Sequence, residues 1–175
     1  MSNKRNRKTP NEIVIYGDYA EIILYDKNCE EVSRALIDTE DVDAVRTYKW
    51  SLNADNYVKA KKNNKTIYLH RLIMDPDDMF VDHINHNTLD NRKSNLRICT
   101  HQQNMNNRTI PKNNSSGFKG VSWNKATGKW TAYIYTNKKK NNLGCYDNIE
   151  DAIEARRQAE LEYFGEYRNQ EEDAI

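Results

Sequence analysis

The chain has 175 residues, 37% hydrophobic and 30% charged, which indicates one or two small, polar, soluble domains. No apolar run approaches the ~20 residues of a membrane span, and no apolar segment follows the basic residues 1–8 as in a signal peptide. Cys29, Cys99 and Cys145 are isolated, which argues against a disulfide framework or a CxxC zinc site and fits a reducing cytosol.

The net charge of +1 conceals an asymmetry along the chain. Residues 11–50 hold ten acidic side chains and four basic ones. Residues 91–146 hold eleven basic side chains and no Asp or Glu. An acid-free basic stretch of this length is expected of a surface that binds polyphosphate, although a solvated lysine-rich surface is the alternative.

The first half of the chain predicts short strands with one helix between them. Residues 1–10 are expected to be a disordered basic arm. Two apolar runs within residues 13–25, separated by a Gly-Asp pair, predict a β-hairpin. The acidic start of segment 38–50 predicts a short helix that ends near its tryptophan. A second hairpin is predicted over residues 57–69.

A strand, a loop and a second strand are predicted in the middle of the chain. The run Val81-Asp82-His83 ends an apolar stretch and predicts a strand end. Residues 85–94 are polar and predict a loop, and residues 96–99 predict the second short strand.

A helix should follow that second strand. Thr100 is placed to cap it, and Gln103 stands at capping-box spacing. Asn104 would then lie one turn into the helix and point back toward the strands. The sequence therefore predicts that Asp82, His83 and Asn104 come to one place.

The C-terminal third predicts a small sheet covered by one helix. Residues 109–117 are a linker by composition. Three β segments follow, at residues 118–123, 130–135 and 142–146. Asn148 can then cap a helix that ends at Gly165. Alternation puts Lys129, Thr131, Tyr133 and Tyr135 on one face of the sheet and Trp130, Ala132 and Ile134 on the other. Trp130 is therefore expected in the core, and Trp123 is undecided.

The pair Asp82-His83 carries the chemistry that phosphodiester hydrolysis needs. A neutral histidine near pH 7 can activate a water molecule. A hard divalent cation can relieve charge on the phosphate and on the leaving oxygen. Asp82 and Asn104 offer oxygen ligands, which suit Mg²⁺ better than zinc. Adjacent strand residues point to opposite sides, so the pair predicts one base and one metal ligand.

These residues resemble the HNH nuclease family, in particular the HNH homing endonucleases of phages and group I introns. The matching segments are residues 70–74, 81–85, 89–97 and 103–104. The resemblance implies a ββα-metal fold in which His83 is the general base and Asp82 and Asn104 bind one Mg²⁺ or Mn²⁺ per active site. Asn95 would brace the loop and orient His83, which completes the catalytic set. Asn104 replaces the histidine of some relatives, which argues further against zinc.

The remaining polar residues near this motif have competing interpretations. Arg92 and Arg97 could bind DNA phosphates or form local salt bridges. His86 is expected to be a solvated loop residue, and His70 a structural one. His101 begins the predicted helix and could contact phosphate.

The C-terminal segments 118–123, 129–134, 143–146 and 151–164 resemble the plant ethylene-response-factor (APETALA) DNA-binding domain, relatives of which are fused to HNH homing endonucleases. That family lays its sheet in the major groove of DNA. The residues that the resemblance and the strand alternation assign to DNA contact are Lys119, Ser122, Asn124, Lys129, Tyr133, Tyr135, Lys140 and Asn142.

The expected fold class is α+β: a ββα-metal HNH core with an N-terminal β-rich extension, plus a three-stranded antiparallel sheet packed on one helix. The expected boundaries are a basic arm at 1–10, a nuclease domain at 11–108 (core about 78–108), a linker at 109–117, an APETALA-like domain at 118–167 and an acidic tail at 168–175.

The leading functional hypothesis is a site-specific DNA endonuclease of the homing type, with family-type 5′-phosphate and 3′-hydroxyl products. The alternative is a non-catalytic, sequence-specific DNA-binding regulator with a relic HNH fold. The expected partner is double-stranded DNA and not a membrane. The oligomeric state is open, with a monomer favoured. The expected location is the cytoplasm of a bacterial host, for a phage- or intron-encoded protein.

Overall fold

The computed structural model describes residues 9–108, 110, 114 and 116–169. Residues 1–8 of the predicted arm, parts of the predicted linker (109, 111–113 and 115) and the end of the acidic tail (170–175) lie outside them. The fold is mixed α/β, with several small antiparallel sheets and few helices. It divides into two compact units, of which the first ends at Cys99 and the second begins at Thr100.

The first unit begins with a three-stranded antiparallel sheet. Its strands are β1 (Ile13–Tyr16), β2 (Tyr19–Tyr25) and β3 (Glu31–Asp38), in that order. The predicted hairpin over residues 13–25 is confirmed, and β3 is an additional strand. A 3₁₀ turn (Thr39–Asp41) leads into α1 (Val42–Val45), so the predicted helix ends before Trp50.

A second small sheet and a helix follow. The sheet contains β4 (Ser51–Leu52), β5 (Val58–Lys62) and β6 (Lys65–Tyr68), all antiparallel. The predicted second hairpin is thereby confirmed. Helix α2 (Leu69–Met74) follows β6 directly, and it ends where Asp75 takes a left-handed conformation.

A two-stranded sheet completes the first unit. Strands β7 (Phe80–His83) and β8 (Leu96–Cys99) are antiparallel, as the sequence predicted. The loop that joins them is fastened to β3. The backbone N–H of Leu36 donates to the carbonyl of Leu89, and the N–H of Asn91 donates to the carbonyl of Leu36, both at 2.8 Å. The loop therefore has a fixed position relative to the first sheet.

The core of the first unit joins both three-stranded sheets to α1 and α2. Its buried members include Ile22, Ile37, Val58 and Leu69 around Trp50. The Trp50 indole N–H donates to the Val45 carbonyl at 3.0 Å, which satisfies a buried polar group that would otherwise oppose folding. This core supports α2, β7 and the β7–β8 loop.

The second unit begins with α3 (His101–Asn106). Thr100 caps it as predicted: its hydroxyl accepts from the Gln103 N–H, and the Gln103 side chain accepts from the Thr100 N–H. This reciprocal pair satisfies two of the donors that a helix start leaves open.

A three-stranded sheet with one helix packed on it makes up the rest of the second unit. The strands are β9 (Val121–Asn124), β10 (Lys129–Thr136) and β11 (Lys139–Tyr146), with β10 in the centre. Helix α4 (Ile149–Phe164) ends at Gly165, as predicted. Asn148 stands at its N-cap position, but its side chain makes no capping hydrogen bond. Trp130 packs against the small core of Val121, Ala132 and Ala152, which confirms its predicted core position.

Within the part of the chain that the structure describes, no helix is long and apolar enough to cross a membrane.

Candidate active site

Asp82 and His83 are both buried at the end of β7. Across the sheet, Asp82 lies opposite Arg97 and His83 lies opposite Leu96. Consecutive strand residues point to opposite faces, so the two side chains enter different surroundings. This arrangement agrees with the prediction that they perform different tasks.

Asp82 forms a buried ion pair with Arg97. The Arg97 Nη2 and Nε atoms lie 2.7 and 3.0 Å from Asp82 Oδ2. The two side chains are 9% and 11% exposed, so the two charges compensate each other away from water. Of the two alternatives for Arg97, the structure therefore shows the local salt bridge.

His83 lies among two aromatic rings and an amide. The ring of His70 lies 5.2 Å from it in an edge-to-face arrangement, and the ring of Tyr57 lies 5.9 Å away. The His83 Nε2 atom is 3.4 Å from the Oδ1 atom of Asn91. Burial lowers the pKa of His83 below its ordinary value, against the opposing effects of Asn91 and nearby carboxylates. The imidazole is therefore neutral near pH 7, the form that can accept a proton.

His70 is the inner neighbour of His83. It lies in α2, is 7% exposed, and stacks on Tyr68 at 5.7 Å. Burial lowers its pKa to about 3, with the His83 and Arg71 charges adding to the effect. Its Nδ1 atom is buried and has no hydrogen-bond partner in the part of the chain that the structure describes. These contacts fit the expected structural role, because the His70 ring packs against the His83 ring.

Asn95 forms hydrogen bonds within the β7–β8 loop, where the family resemblance implies a bracing role. Its side-chain amide donates to the Asp90 carbonyl at 2.8 Å, and its Oδ1 atom accepts from the Asn85 N–H at 3.0 Å. A contact with His83 in this loop is made by Asn91, and the orienting role that the resemblance implies for Asn95 stays a prediction. Asn95 therefore shapes the loop that brings Asn91 to the histidine.

Asn91 is the functional candidate that the sequence did not reveal. It is completely buried, and its Nδ2 atom donates to the Thr88 carbonyl at 3.2 Å. It is one of four asparagines between residues 85 and 95, and no periodicity distinguishes it from the others. Its importance follows from the pairing of the loop with β3, which brings together residues far apart in sequence.

Arg92 also forms a local ion pair. Its guanidinium binds both carboxylate oxygens of Asp90, at 2.8 and 2.7 Å, and this holds the pKa of Asp90 below its usual value. For Arg92, as for Arg97, the structure favours the local salt bridge among the two predicted alternatives.

Asn104 lies in α3, which belongs to the second unit. Its N–H donates to the Thr100 carbonyl at 3.0 Å, so it stands one turn into the helix as expected. Its predicted role as a metal ligand beside Asp82 stays a prediction.

The predicted DNA-contact residues of the second unit share one face of its sheet, with one exception. Strand register pairs Ser122 with Thr131, Tyr133 with Asn142 and Tyr135 with Lys140. The opposite face carries the buried Ala132 and Ile134 and packs on α4. The residues on the open face are Ser122, Asn124, Lys129, Tyr133, Tyr135, Lys140 and Asn142.

Lys119 is the exception. It precedes β9, and its Nζ atom donates to the Asn106 carbonyl at 2.9 Å. On the open face, the Lys140 ammonium lies 3.9 Å from the centre of the Tyr133 ring, and Lys129 pairs with Asp147 at 3.0 Å. This face therefore presents aromatic, amide and cationic groups together.

The two predicted metal ligands, one in each unit, are oxygen donors. Within residues 9–108, 110, 114 and 116–169, no group of three or more His, Cys, Asp or Glu side chains could hold a metal, as a typical zinc site would need. The Asp82 carboxylate and the Asn104 amide are oxygen donors of the kind that Mg²⁺ and Mn²⁺ prefer. By donor chemistry alone the predicted ligands suit Mg²⁺ or Mn²⁺, and their joint role as a metal site stays a prediction.

Comparison with known proteins identifies the segment that carries this site. Residues 68–106 match the model of the HNH endonuclease family, so this segment is similar to an HNH endonuclease domain. The matched segment contains Asp82, His83, Asn91, Asn95 and Asn104.

Two viral proteins are similar to parts of the chain. Protein 3.8 of Escherichia phage T7 is 35% identical over 75 residues, which cover 43% of this chain and 62% of the phage protein. A protein of Acanthamoeba polyphaga mimivirus, named an uncharacterized HNH endonuclease, is 42% identical over 84 residues, which cover 44% of this chain and 42% of its own length. The chain thus spans less than two thirds of either relative. No solved structure matches it.

Proposed function

We propose that the chain is a site-specific DNA endonuclease of the homing type, with His83 as its general base. The observation that carries the proposal is the burial of His83 and of the adjacent Asp82 carboxylate at one strand end, inside the HNH endonuclease match. A neutral imidazole next to a separate carboxylate supplies a base and a cation ligand at one strand end.

The reaction follows from this division of roles. The His83 imidazole takes a proton from a water molecule as the water oxygen bonds to phosphorus. The bond from phosphorus to the 3′ oxygen then breaks, and that oxygen takes a proton from solvent, which leaves a 5′-phosphate and a 3′-hydroxyl. Asp82 and Asn104 would hold one divalent ion, which supplies neutralisation of charge on the phosphate and the leaving oxygen. His70 and Asn91 hold the imidazole ring in place during the proton transfer.

The second unit would select the DNA. We assign duplex binding to the open face of the β9–β10–β11 sheet, in the manner of the APETALA-like domains it resembles. Support comes from the shared face of its polar, aromatic and basic side chains, which is a suitable surface for a sheet that reads the major groove.

One contact favours the second candidate function, a DNA-binding regulator with an inert HNH domain. The buried pair between Arg97 and Asp82 already compensates the carboxylate that a catalytic cation would use. In a regulator this pair would be permanent. In a nuclease the cation would share or replace it.

Cleavage of supercoiled plasmid, with Mg²⁺ or Mn²⁺ and with EDTA, tests the proposal. The unmodified chain should nick or cut the plasmid only with the divalent ion. His83→Ala should lose about 10²–10⁴-fold in rate, the usual contribution of a general base, and should bind duplex DNA as before. Cleavage by His83→Ala at the unmodified rate would overturn the assignment of the base. No cleavage by the unmodified chain, with binding retained, would favour the regulator.

A further inference from the structure

Three lysines lie together on the outer side of the second sheet of the first unit. In β5, Val58 and Ala60 are buried, so the alternate residues Lys59 and Lys61 point away from the core. Lys49, just before β4, lines the same shallow cavity of about 360 Å³ with Lys59 and Lys61. We call the surface formed by Lys49, Lys59 and Lys61 the lysine face.

The charges of the lysine face are not compensated by carboxylates. Residues 46–74 contain seven basic side chains and one acidic side chain, Asp55. Among the residues with described positions, no ion pair involves Lys49, Lys59 or Lys61. Elsewhere in the unit, basic side chains such as Arg34 and Lys93 each bind two carboxylates. The lysine face is thus a local concentration of positive charge that favours an anionic partner.

The lysine face continues toward His83. Lys59 lies opposite Tyr68 across the β5–β6 pair, so both side chains are on the same face. The Tyr68 ring stacks on His70 at 5.7 Å, and His70 contacts His83 at 5.2 Å. A polyanion bound along the lysines would therefore lie next to Tyr68 and His70, the rings that connect the lysine face to His83.

We propose that the lysine face binds the phosphate backbone of duplex DNA next to the phosphodiester bond on which His83 acts. The inference rests on the proposed nuclease function and deepens it. Lys49, Lys59 and Lys61 precede residues 68–106, so the surface lies outside the HNH endonuclease match. Lysine is a flexible point charge, which suits contact with phosphate and carries no direct reading of bases. Lys59 and Lys61, two residues apart on a strand, stand about 7 Å apart and can reach different phosphates.

Salt dependence of DNA binding tests this surface. The lysine-face variant carries Lys49→Gln, Lys59→Gln and Lys61→Gln. Its matched control carries Lys27→Gln, Lys62→Gln and Lys65→Gln, which removes the same charge from the same unit. Lys62 and Lys65 pair with each other on the opposite face of the β5–β6 hairpin. Both triple variants also carry His83→Ala, so that the probe, a short random-sequence duplex, is not cut.

The expected result is a change in slope. Each lost phosphate contact makes the negative slope of log K against log salt concentration less steep by about 0.9. The slope of the lysine-face variant should therefore be less steep by about 2.7, and that of the control by clearly less. The single variant Lys61→Gln, at an exposed position, should lose about 0.9 without risk to folding. Equal slopes for the two triple variants would overturn the proposal. An equal or larger loss on single-stranded RNA than on the duplex would also overturn it.

The outcome is separable from that of the proposed function. A chain that does not cut plasmid but shows the expected slope change keeps the lysine face and loses the nuclease. A chain that cuts with Mg²⁺ but shows equal slopes keeps the nuclease and loses the lysine face.

Discussion

The Nε2 atom of His83 lies 3.4 Å from the Oδ1 atom of Asn91. Asn91 belongs to the β7–β8 loop, which is hydrogen-bonded to the distant strand β3. Because the Asn91 Nδ2 atom donates to the Thr88 carbonyl, the amide oxygen is the atom that faces the histidine. A ring N–H that donates to this oxygen keeps the hydrogen of the neutral imidazole on Nε2. Asn91 thus favours one tautomer and one ring orientation, and in the proposed nuclease it would act on catalysis through His83.

We expect Asn91→Leu to lower kcat by about tenfold, the effect of losing one hydrogen bond of about 1.4 kcal/mol, with KM for DNA unchanged. Asn91→Asp keeps an oxygen toward the ring and should recover most of the loss. Asn87→Ala is the control in the same loop, since Asn87 is exposed and its Oδ1 atom accepts a hydrogen bond from the Leu89 N–H, away from His83. A change in KM with constant kcat would show that Asn91 acts on binding instead.

A second prediction concerns the buried pair of Asp82 and Arg97. Arg97→Met leaves a buried carboxylate without its cation, which should cost about 3–5 kcal/mol of folding stability in EDTA. If Asp82 is a metal ligand, Mg²⁺ should restore more of the lost melting temperature in this variant than it adds to the unmodified chain. Thermal unfolding with and without Mg²⁺ measures both effects.

Arg92→Met is the matched control for that experiment. It breaks the ion pair of another buried carboxylate, since the Asp90 side chain is 5% exposed and Arg92 37%, and Asp90 is not a predicted ligand. The control should lose stability and gain nothing extra from Mg²⁺. An equal response of the two variants to Mg²⁺ would contradict the role of Asp82.

His70 should make folding stability depend on pH. Burial lowers its pKa to about 3 from an ordinary value of 6.5, so between these values the unfolded chain binds a proton that the folded chain does not. The folding stability associated with a neutral, buried His70 is fully present above pH 6.5 and is lost as the pH falls toward 3. At about pH 5 the loss is ~2 kcal/mol relative to neutral pH.

His70→Gln removes this titration, and urea unfolding at about pH 7 and pH 5 measures the change. The difference in unfolding free energy between the two pH values should shrink by ~2 kcal/mol. The part of the difference that comes from His83, whose pKa burial also lowers, should remain. His101→Gln, at an exposed position, is the control. An unchanged pH difference in His70→Gln would show that His70 does not carry the effect.

The sequence predicted those elements that short-range patterns define. The hairpins around residues 13–25 and 57–69 follow from alternation and turn residues, and the start of α3 follows from the Thr100 and Gln103 capping box. The helix on a three-stranded sheet in the second unit was predicted for the same reason. Asp82 and His83 could be proposed from the sequence because their adjacency is itself the motif, and their roles stay a prediction.

The remaining features depend on contacts between residues far apart in the chain. Strand β3 contains a charged and partly exposed sequence, and it is a strand because β2 pairs with it. Asn91 meets His83 because β3 anchors the loop, and Arg97 meets Asp82 because β7 and β8 are in register. Local periodicity carries no information about such pairings.

A last prediction concerns two glycines of the second unit that have similar left-handed backbones. Gly120 has φ +68° and Gly128 has φ +62°. A Cβ atom at Gly120 would lie 2.3 Å from the Tyr133 carbonyl oxygen and 2.7 Å from Arg156 Nη1, whereas a Cβ at Gly128 would meet nothing within 4 Å. The Tyr133 backbone cannot move aside easily, because it belongs to the central strand and its N–H donates to the Gly120 carbonyl at 2.8 Å.

Both alanine variants have the same backbone strain of about 1 kcal/mol from the positive φ. Gly120→Ala should therefore lose about 1–3 kcal/mol more than Gly128→Ala, and amide hydrogen exchange of β10 should accelerate only in the former. Equal losses in thermal unfolding would show that the close approach of Gly120 to Tyr133 does not limit the packing of this sheet.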